Sequence, residues 1–148
     1  QQRKARCPLA DLSQTPASVT KVGAAQIVVP NSGFPITAGN AAYLASNGTW
    51  LPAASTNFTL AGILDAGIAL ASTPGTLQPV TILTSGTVNL GATLTVGQTY
   101  VLSSNSGRIC PITDLATNSW VTILGVAADA NNLVTPPSGC WATNTQRA

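Results

Sequence analysis

The residue types that carry most enzyme and metal chemistry are scarce in this chain. It has no His and no Glu, and its only acids are Asp11, Asp65, Asp114 and Asp129. Without an imidazole, neither a Ser-His pair nor the usual His-containing metal site can form. The aspartates do not fall into the D-x-D-x-D-G spacing of a calcium loop, so turn and capping roles are expected of them. Cys7, Cys110 and Cys140 are odd in number, widely spaced and free of any C-x-x-C, which argues against a disulfide framework and a zinc ribbon. Cys110 lies on an apolar stretch and is expected to be a small core residue. Cys7 and Cys140 lie in the terminal segments, where free thiols are expected and a single bridge is the alternative. No catalytic residue, metal or cofactor is expected, and the chain reads as non-enzymatic.

Binding chemistry offers a few more candidates. Arg3, Lys4 and Arg6 form a basic trio that could neutralise phosphates, but three charges bind nucleic acid weakly. Lys21, Arg108 and Arg147 stand alone, with no basic stripe and no interleaved aromatics, so a protein surface is the expected partner of the trio. Tyr43, Trp50, Tyr100, Trp120 and Trp141 could line a sugar-binding face, yet the first four fall at strand positions where packing is the simpler role. Trp141 differs, because it sits beyond Pro137 in an otherwise polar tail. An isolated aromatic in such a place is expected to anchor the tail in a pocket.

The elements that must position these residues are strands. The core of the chain reads PVTILTSGTVNL, then TLTVGQTYVLSSNSGRICPI, then SWVTILGVA, between Pro79 and Val126. Val, Ile, Leu, Thr, Tyr and Trp recur with near period-two alternation, punctuated by Gly, Asn and Ser. Upstream, Val22 to Val29 is a strand closed by a Pro30–Gly33 loop. Ala41–Ser46 and Thr49–Pro52 flank an Asn47-Gly48 turn, the strongest short hairpin signal. Ala61 to Ala71 is a longer apolar strand, followed by a Ser72–Gly75 turn. Asn131-Asn132 is a turn before a last short strand, Leu133 to Thr135, and Pro136, Pro137 and Gly139 are expected to end regular structure. At 148 residues one domain is expected, divided into an arm and first strand over 1–30, a β domain over 31–135 and an extended tail over 136–148. Charged residues are only 7% of the chain, with a net charge of +2, so its surface should be buried in part against other chains. No apolar run approaches the ~20 residues of a membrane-spanning helix, and no membrane partner is expected.

An internal repeat constrains the fold further. Ile36 to Pro52 (ITAGNAAYLASNGTWLP) lies over Leu94 to Pro111 (LTVGQTYVLSSNSGRICP) with one inserted residue. The alignment matches Thr37 with Thr95, Gly39 with Gly97, Leu44 with Leu102 and Pro52 with Pro111. AGIALAS then lies over LGVAADA, pairing Gly67 with Gly125. Short stretches of Ala, Thr and Leu align easily through shared β-composition, but the aligned glycines favour two similar β units. The expectation is an all-β fold, a compact barrel or sandwich of about eight to ten strands, with an N-terminal arm and a C-terminal tail.

Between about Phe34 and Val134, the series AGNAAYLASNGTWLPA, LDAGIALASTPGTLQPVTILTSGTVNL, LTVGQTYVLSSNSGRICPITDL and SWVTILGVAADANNLV resembles β-rich virion proteins of tailed bacteriophages. These include capsid decoration (cement) proteins and related head-fibre or tail-fibre domains. The resemblance rests on a Gly-x-x-x-x-Leu entry, an exit of the Gly-Ile-Ala or Gly-Val-Ala kind, a PVTI-like strand before a Ser-Gly-Thr-Val turn, and a Tyr-Val-Leu-Ser strand. It implies a small β domain, frequently a homotrimer, on the outer surface of the capsid, where it binds the major capsid protein and stabilises contacts between its subunits. The alternative it implies is a head-fibre or tail-fibre domain that presents a receptor-binding module. Arg3, Lys4, Arg6 and Trp141 are the candidate partner contacts.

Overall fold

The computed structural model describes residues 11–12, 14–55, 66–73, 75–103, 105–114, 119–135 and the strand over 142–146. Among them are ten strands: β1 (Thr20–Val28), β2 (Ala41–Leu44), β3 (Trp50–Pro52), β4 (Ala66–Ala69), β5 (Ile82–Asn89), β6 (Thr99–Leu102), β7 (Ile109–Pro111), β8 (Trp120–Ala127), β9 (Asn132–Val134) and β10 (Ala142–Gln146). The fold is all-β, an antiparallel sheet curled into a half-barrel. The Asn47-Gly48 hairpin forms as expected. Leu44 pairs with Trp50 and Tyr43 with Leu51, Gly48 takes a φ of 87°, and Asn47 Oδ1 accepts from the Thr49 N–H at 3.1 Å. The side chain thus holds the turn that the glycine permits. The expected strand over Ala61 to Ala71 is described only from Ala66, where β4 runs to Ala69; residues 61–65 lie outside the described residues.

The main strand order is β3-β2-β4-β5-β9-β8-β6-β7, and its second half is the first half in reverse. Under the repeat β2 corresponds to β6, β3 to β7, β4 to β8 and β5 to β9, and the ladders agree residue by residue. Ala42 pairs with Pro52 and Gly67, while Tyr100 pairs with Pro111 and Gly125. Ile68 pairs with Leu83, and Val126 with Val134. Even the entry turns match: the Gly39 N–H donates to Ala69 O at 2.8 Å and the Gly97 N–H to Ala127 O at 2.9 Å. Shared composition does not reproduce hydrogen-bond registers, so the two β units are structural repeats. β3 and β7 end the order in Pro52 and Pro111, at edge positions where a residue without an N–H costs no ladder bond. Leu83 pairs with both Ile27 and Ile68, and Thr87 with both Val22 and Val134. β1 therefore lines one edge of β5, and β4 and β9 share the other.

The two units use opposite faces for the core. In the second, Tyr100, Leu102 and Ile109 point into the main core; their counterparts Ala42, Leu44 and Trp50 belong to a separate cluster with Ile36, Ala69, Val80 and Ile82. The first unit turns its other face, Ala41, Tyr43, Ile68 and Leu83, toward the main core. One unit thus stacks its back on the front of the other.

The boundaries at both ends differ from the expected ones. The segment before β1 is not a free arm from residue 11 onward, because Leu12 and Val19 are buried in the main core. Its lack of any strand or helix period hid this, since two anchoring side chains among polar residues leave no pattern. At the other end, regular structure does not stop near Pro136: β10 pairs antiparallel with β8, Ala142 opposite Thr122 and Gln146 opposite Trp120. Thr and Asn in this strand are unremarkable as a sequence signal, and it is the neighbouring edge of β8 that recruits them.

Candidate interaction surfaces

Arg3, Lys4, Arg6 and Trp141 all lie outside the described residues. The structure shows how the residues after the basic trio, from Asp11 on, are held. The Leu12 N–H donates to Ile109 O at 2.8 Å, and Arg108 Nη2 donates to Leu12 O at 2.8 Å. Asn105 Nδ2 donates to Asp11 Oδ2 at 2.8 Å. Three residues on, Gln14 Nε2 donates to Gly39 O and Leu90 O, and the Thr15 N–H donates to Gly91 O at 2.7 Å. Asp11, Leu12, Gln14 and Thr15 therefore bridge the two repeats, held by the Asn105 and Arg108 side chains of the second unit and by the Gly39 carbonyl of the first. Arg108 was isolated in sequence, and only the fold supplies its partner.

Two of the described reactive side chains are held in unreactive states. Cys110 is buried in a small outer cluster with Val101, as a core residue should be. Burial first, then the nearby Asp11 and Asp114 carboxylates, push its thiol up to about 12, so at neutral pH no thiolate is present to act as nucleophile or ligand. Asp129 serves a turn. Its carboxylate accepts from the Asn131 and Asn132 N–H groups at 2.8 and 2.9 Å and from Asn132 Nδ2, and these bonds hold its carboxyl below the usual range. Among the described residues, no three His, Cys, Asp or Glu side chains gather where they could hold a metal ion. No helix among them is long and apolar enough to cross a membrane.

The four strand aromatics pack rather than line an exposed face. Tyr43, Trp50 and Tyr100 are buried, and Trp120 packs partly buried against the main core. The Tyr100 hydroxyl accepts from the Thr95 N–H at 2.9 Å, which satisfies its polar end inside the entry turn of the second unit. A shallow cleft of about 420 Å³ lies beside residues 14–16, with Thr37, Asn40, Ser106 and Arg108 along it. Its one charged group is the Arg108 guanidinium, which is bonded to Leu12 O.

Three of the exposed apolar side chains stand on a pair of loops that are bonded to each other. The loop after β1 and the loop between β4 and β5 are zipped by backbone bonds: Ser32 N–H to Gln78 O, Leu77 N–H to Ser32 O and Val80 N–H to Pro30 O, all within 2.6–2.9 Å. Ser32 Oγ adds a bond to Gly75 O at 3.1 Å. From this scaffold Val29, Phe34 and Leu77 stand 61%, 58% and 69% exposed. Leu77 has a φ of 57°, the one non-glycine residue with positive φ among the described residues. That conformation costs a leucine roughly 1–2 kcal/mol, which a glycine would not incur. The fold thus spends stability to hold a large apolar side chain in solvent, a pattern associated with binding sites. Neither a known family model nor a curated protein matches this chain.

Proposed function

We propose that this chain is a non-enzymatic structural protein of a bacteriophage virion, a decoration protein that works as a homotrimer on the outside of the assembled capsid. It would bind the major capsid protein and stabilise contacts between neighbouring subunits. The observation that carries the reading is the zipped loop pair with its three exposed apolar side chains, one of them in a strained conformation. A ligand that binds only the assembled shell stabilises that shell by mass action, and many copies multiply the effect. The resemblance between Phe34 and Val134 to phage virion proteins supports the same assignment, as does a surface so poor in charge.

The test is Leu77→Gly, read two ways. Relief of the left-handed strain leaves the isolated protein as stable as before, or more so by up to about 1 kcal/mol. Co-sedimentation with empty phage shells should nevertheless fall at least about tenfold in affinity. Unchanged shell binding would remove the loop pair from the interface. Copy number in the particle separates the two placements: hundreds of copies mark a decoration protein, and a handful mark a fibre domain.

A further inference from the structure

The cleft beside residues 14–16 lies where three parts of the chain meet: the Thr37–Asn40 turn that opens the first unit, the Ser106–Arg108 loop of the second, and Gln14 of the segment before β1. Its walls are fixed to one another. The Ala41 N–H donates to Gly107 O at 2.9 Å and the Gly107 N–H to Ala53 O at 2.6 Å, which ties the loop of the second unit to the first. Asn40 packs against Gly107, where a Cβ would come within 3.0 Å of Asn40 Cγ. The space left between these walls is about 420 Å³, within the ~300–1,000 Å³ typical of small-molecule sites.

Several polar groups along this space have bonding capacity to spare. Arg108 is half-buried, its guanidinium spends one donor on Leu12 O at 2.8 Å, and no carboxylate of the described residues pairs with it. The Asp11 carboxylate beside this loop is turned to Asn105 Nδ2 instead. Asn40 Oδ1 accepts from the Thr37 N–H at 3.0 Å, which leaves Asn40 Nδ2 as a donor. Gln14 Nε2 donates to Gly39 O and Leu90 O, which leaves Gln14 Oε1 as an acceptor. The Thr37 and Ser106 hydroxyls share the cleft with them. A guanidinium partly withdrawn from water gains most from a carboxylate, which its planar fork meets with two parallel bonds. One positive charge suits one negative charge better than it suits a phosphate dianion. The amides and hydroxyls around it suit an acid flanked by hydroxyl groups, whereas a glutamate or aspartate side chain would present only CH₂ groups to them. We propose that this cleft binds a carboxylated sugar, a hexuronate, with Arg108 on the carboxylate and Gln14, Thr37, Asn40 and Ser106 on the ring hydroxyls. The inference rests neither on the loop pair nor on attachment to a shell.

The experiment is an amide NMR titration of the full chain with sodium glucuronate, and separately with glucose, a glutamate capped at both ends, and inorganic phosphate. Millimolar glucuronate should give saturable shifts at the Arg108 Nε–H and at the Gln14 and Asn40 side-chain amides. The other three probes each lack part of the match and should bind at least about tenfold more weakly. Arg108→Lys keeps the charge without the fork and should weaken glucuronate at least about tenfold. Because Arg108 also holds Leu12 O, Ser106→Trp is the second variant: it fills the cleft from an exposed position, so glucuronate binding is lost while the unfolding midpoint stays unchanged. No saturable shift with glucuronate, or shifts that survive Ser106→Trp, overturn the assignment. A capped glutamate that binds as well as glucuronate also overturns it and makes the cleft a socket for an acidic peptide. Phosphate that binds as well overturns it in favour of a plain anion site.

Discussion

Gly67 and Gly125 occupy the same site in the two repeats. Each lies opposite the second residue of a hairpin strand, and each lets the carbonyl of the next strand approach where a side chain would stand: Leu83 O beside Gly67 and Val134 O beside Gly125. A Cβ on Gly67 would come within 2.5 Å of Ile82 Cγ2 and 2.7 Å of Leu83 O. Gly125 adds a φ of 153°. The repeat retains glycine here because of close strand approach and not because of a turn.

Gly67→Ala and Gly125→Ala should each destabilise the fold by about 1–3 kcal/mol, since backbone oxygens rather than flexible side-chain ends must move. Denaturant unfolding measures this. Equal tolerance of alanine at both sites would show that the close approach is not needed. Gly48→Ala is the control. Open space surrounds its Cβ position, so only the cost of its positive φ remains.

Leu12→Ala tests whether the segment before β1 is part of the domain. Leu12 is buried in the main core and its backbone is bonded on both sides, to Ile109 O and from Arg108. Truncating a buried leucine should cost about 2–4 kcal/mol. A change under 0.5 kcal/mol would return this segment to the status of an arm. For the same reason a deletion that probes the basic trio should stop at residue 10 and keep Leu12.

Cys110 gives a pH prediction. Its thiol is raised from 9.0 to about 12, so the folded state favours the protonated form. That contribution is present in full below pH 9 and is lost as pH rises from about 9 toward about 12. In a Cys7→Ala/Cys140→Ala background, Cys110 should resist a thiol reagent at pH 8 until the protein is denatured. Adding Cys110→Ala should make the alkaline fall in unfolding midpoint shallower. Rapid labelling of the native protein would show that the outer cluster opens.

Local chemistry was legible in the sequence wherever it is local in cause. Asn47-Gly48 dictates a hairpin because few other residues accept its backbone angles, and alternation over 82–89 and 120–127 dictates strands. The duplication was legible because glycines needed for close approach recur in register. The face each strand buries was not. Alternation in AAYL and TYVL says that the two sides differ, but in the first Ala41 and Tyr43 turn to the main core, and in the second Tyr100 and Leu102. That choice depends on which surface the other unit offers, a contact between segments far apart in the chain. The same holds for Leu12, buried by strands that follow it much later, and for β10, made a strand by the edge of β8. Leu77 completes the contrast: composition gave no reason to expect a leucine at positive φ, and only the zipped loops around it hold it there.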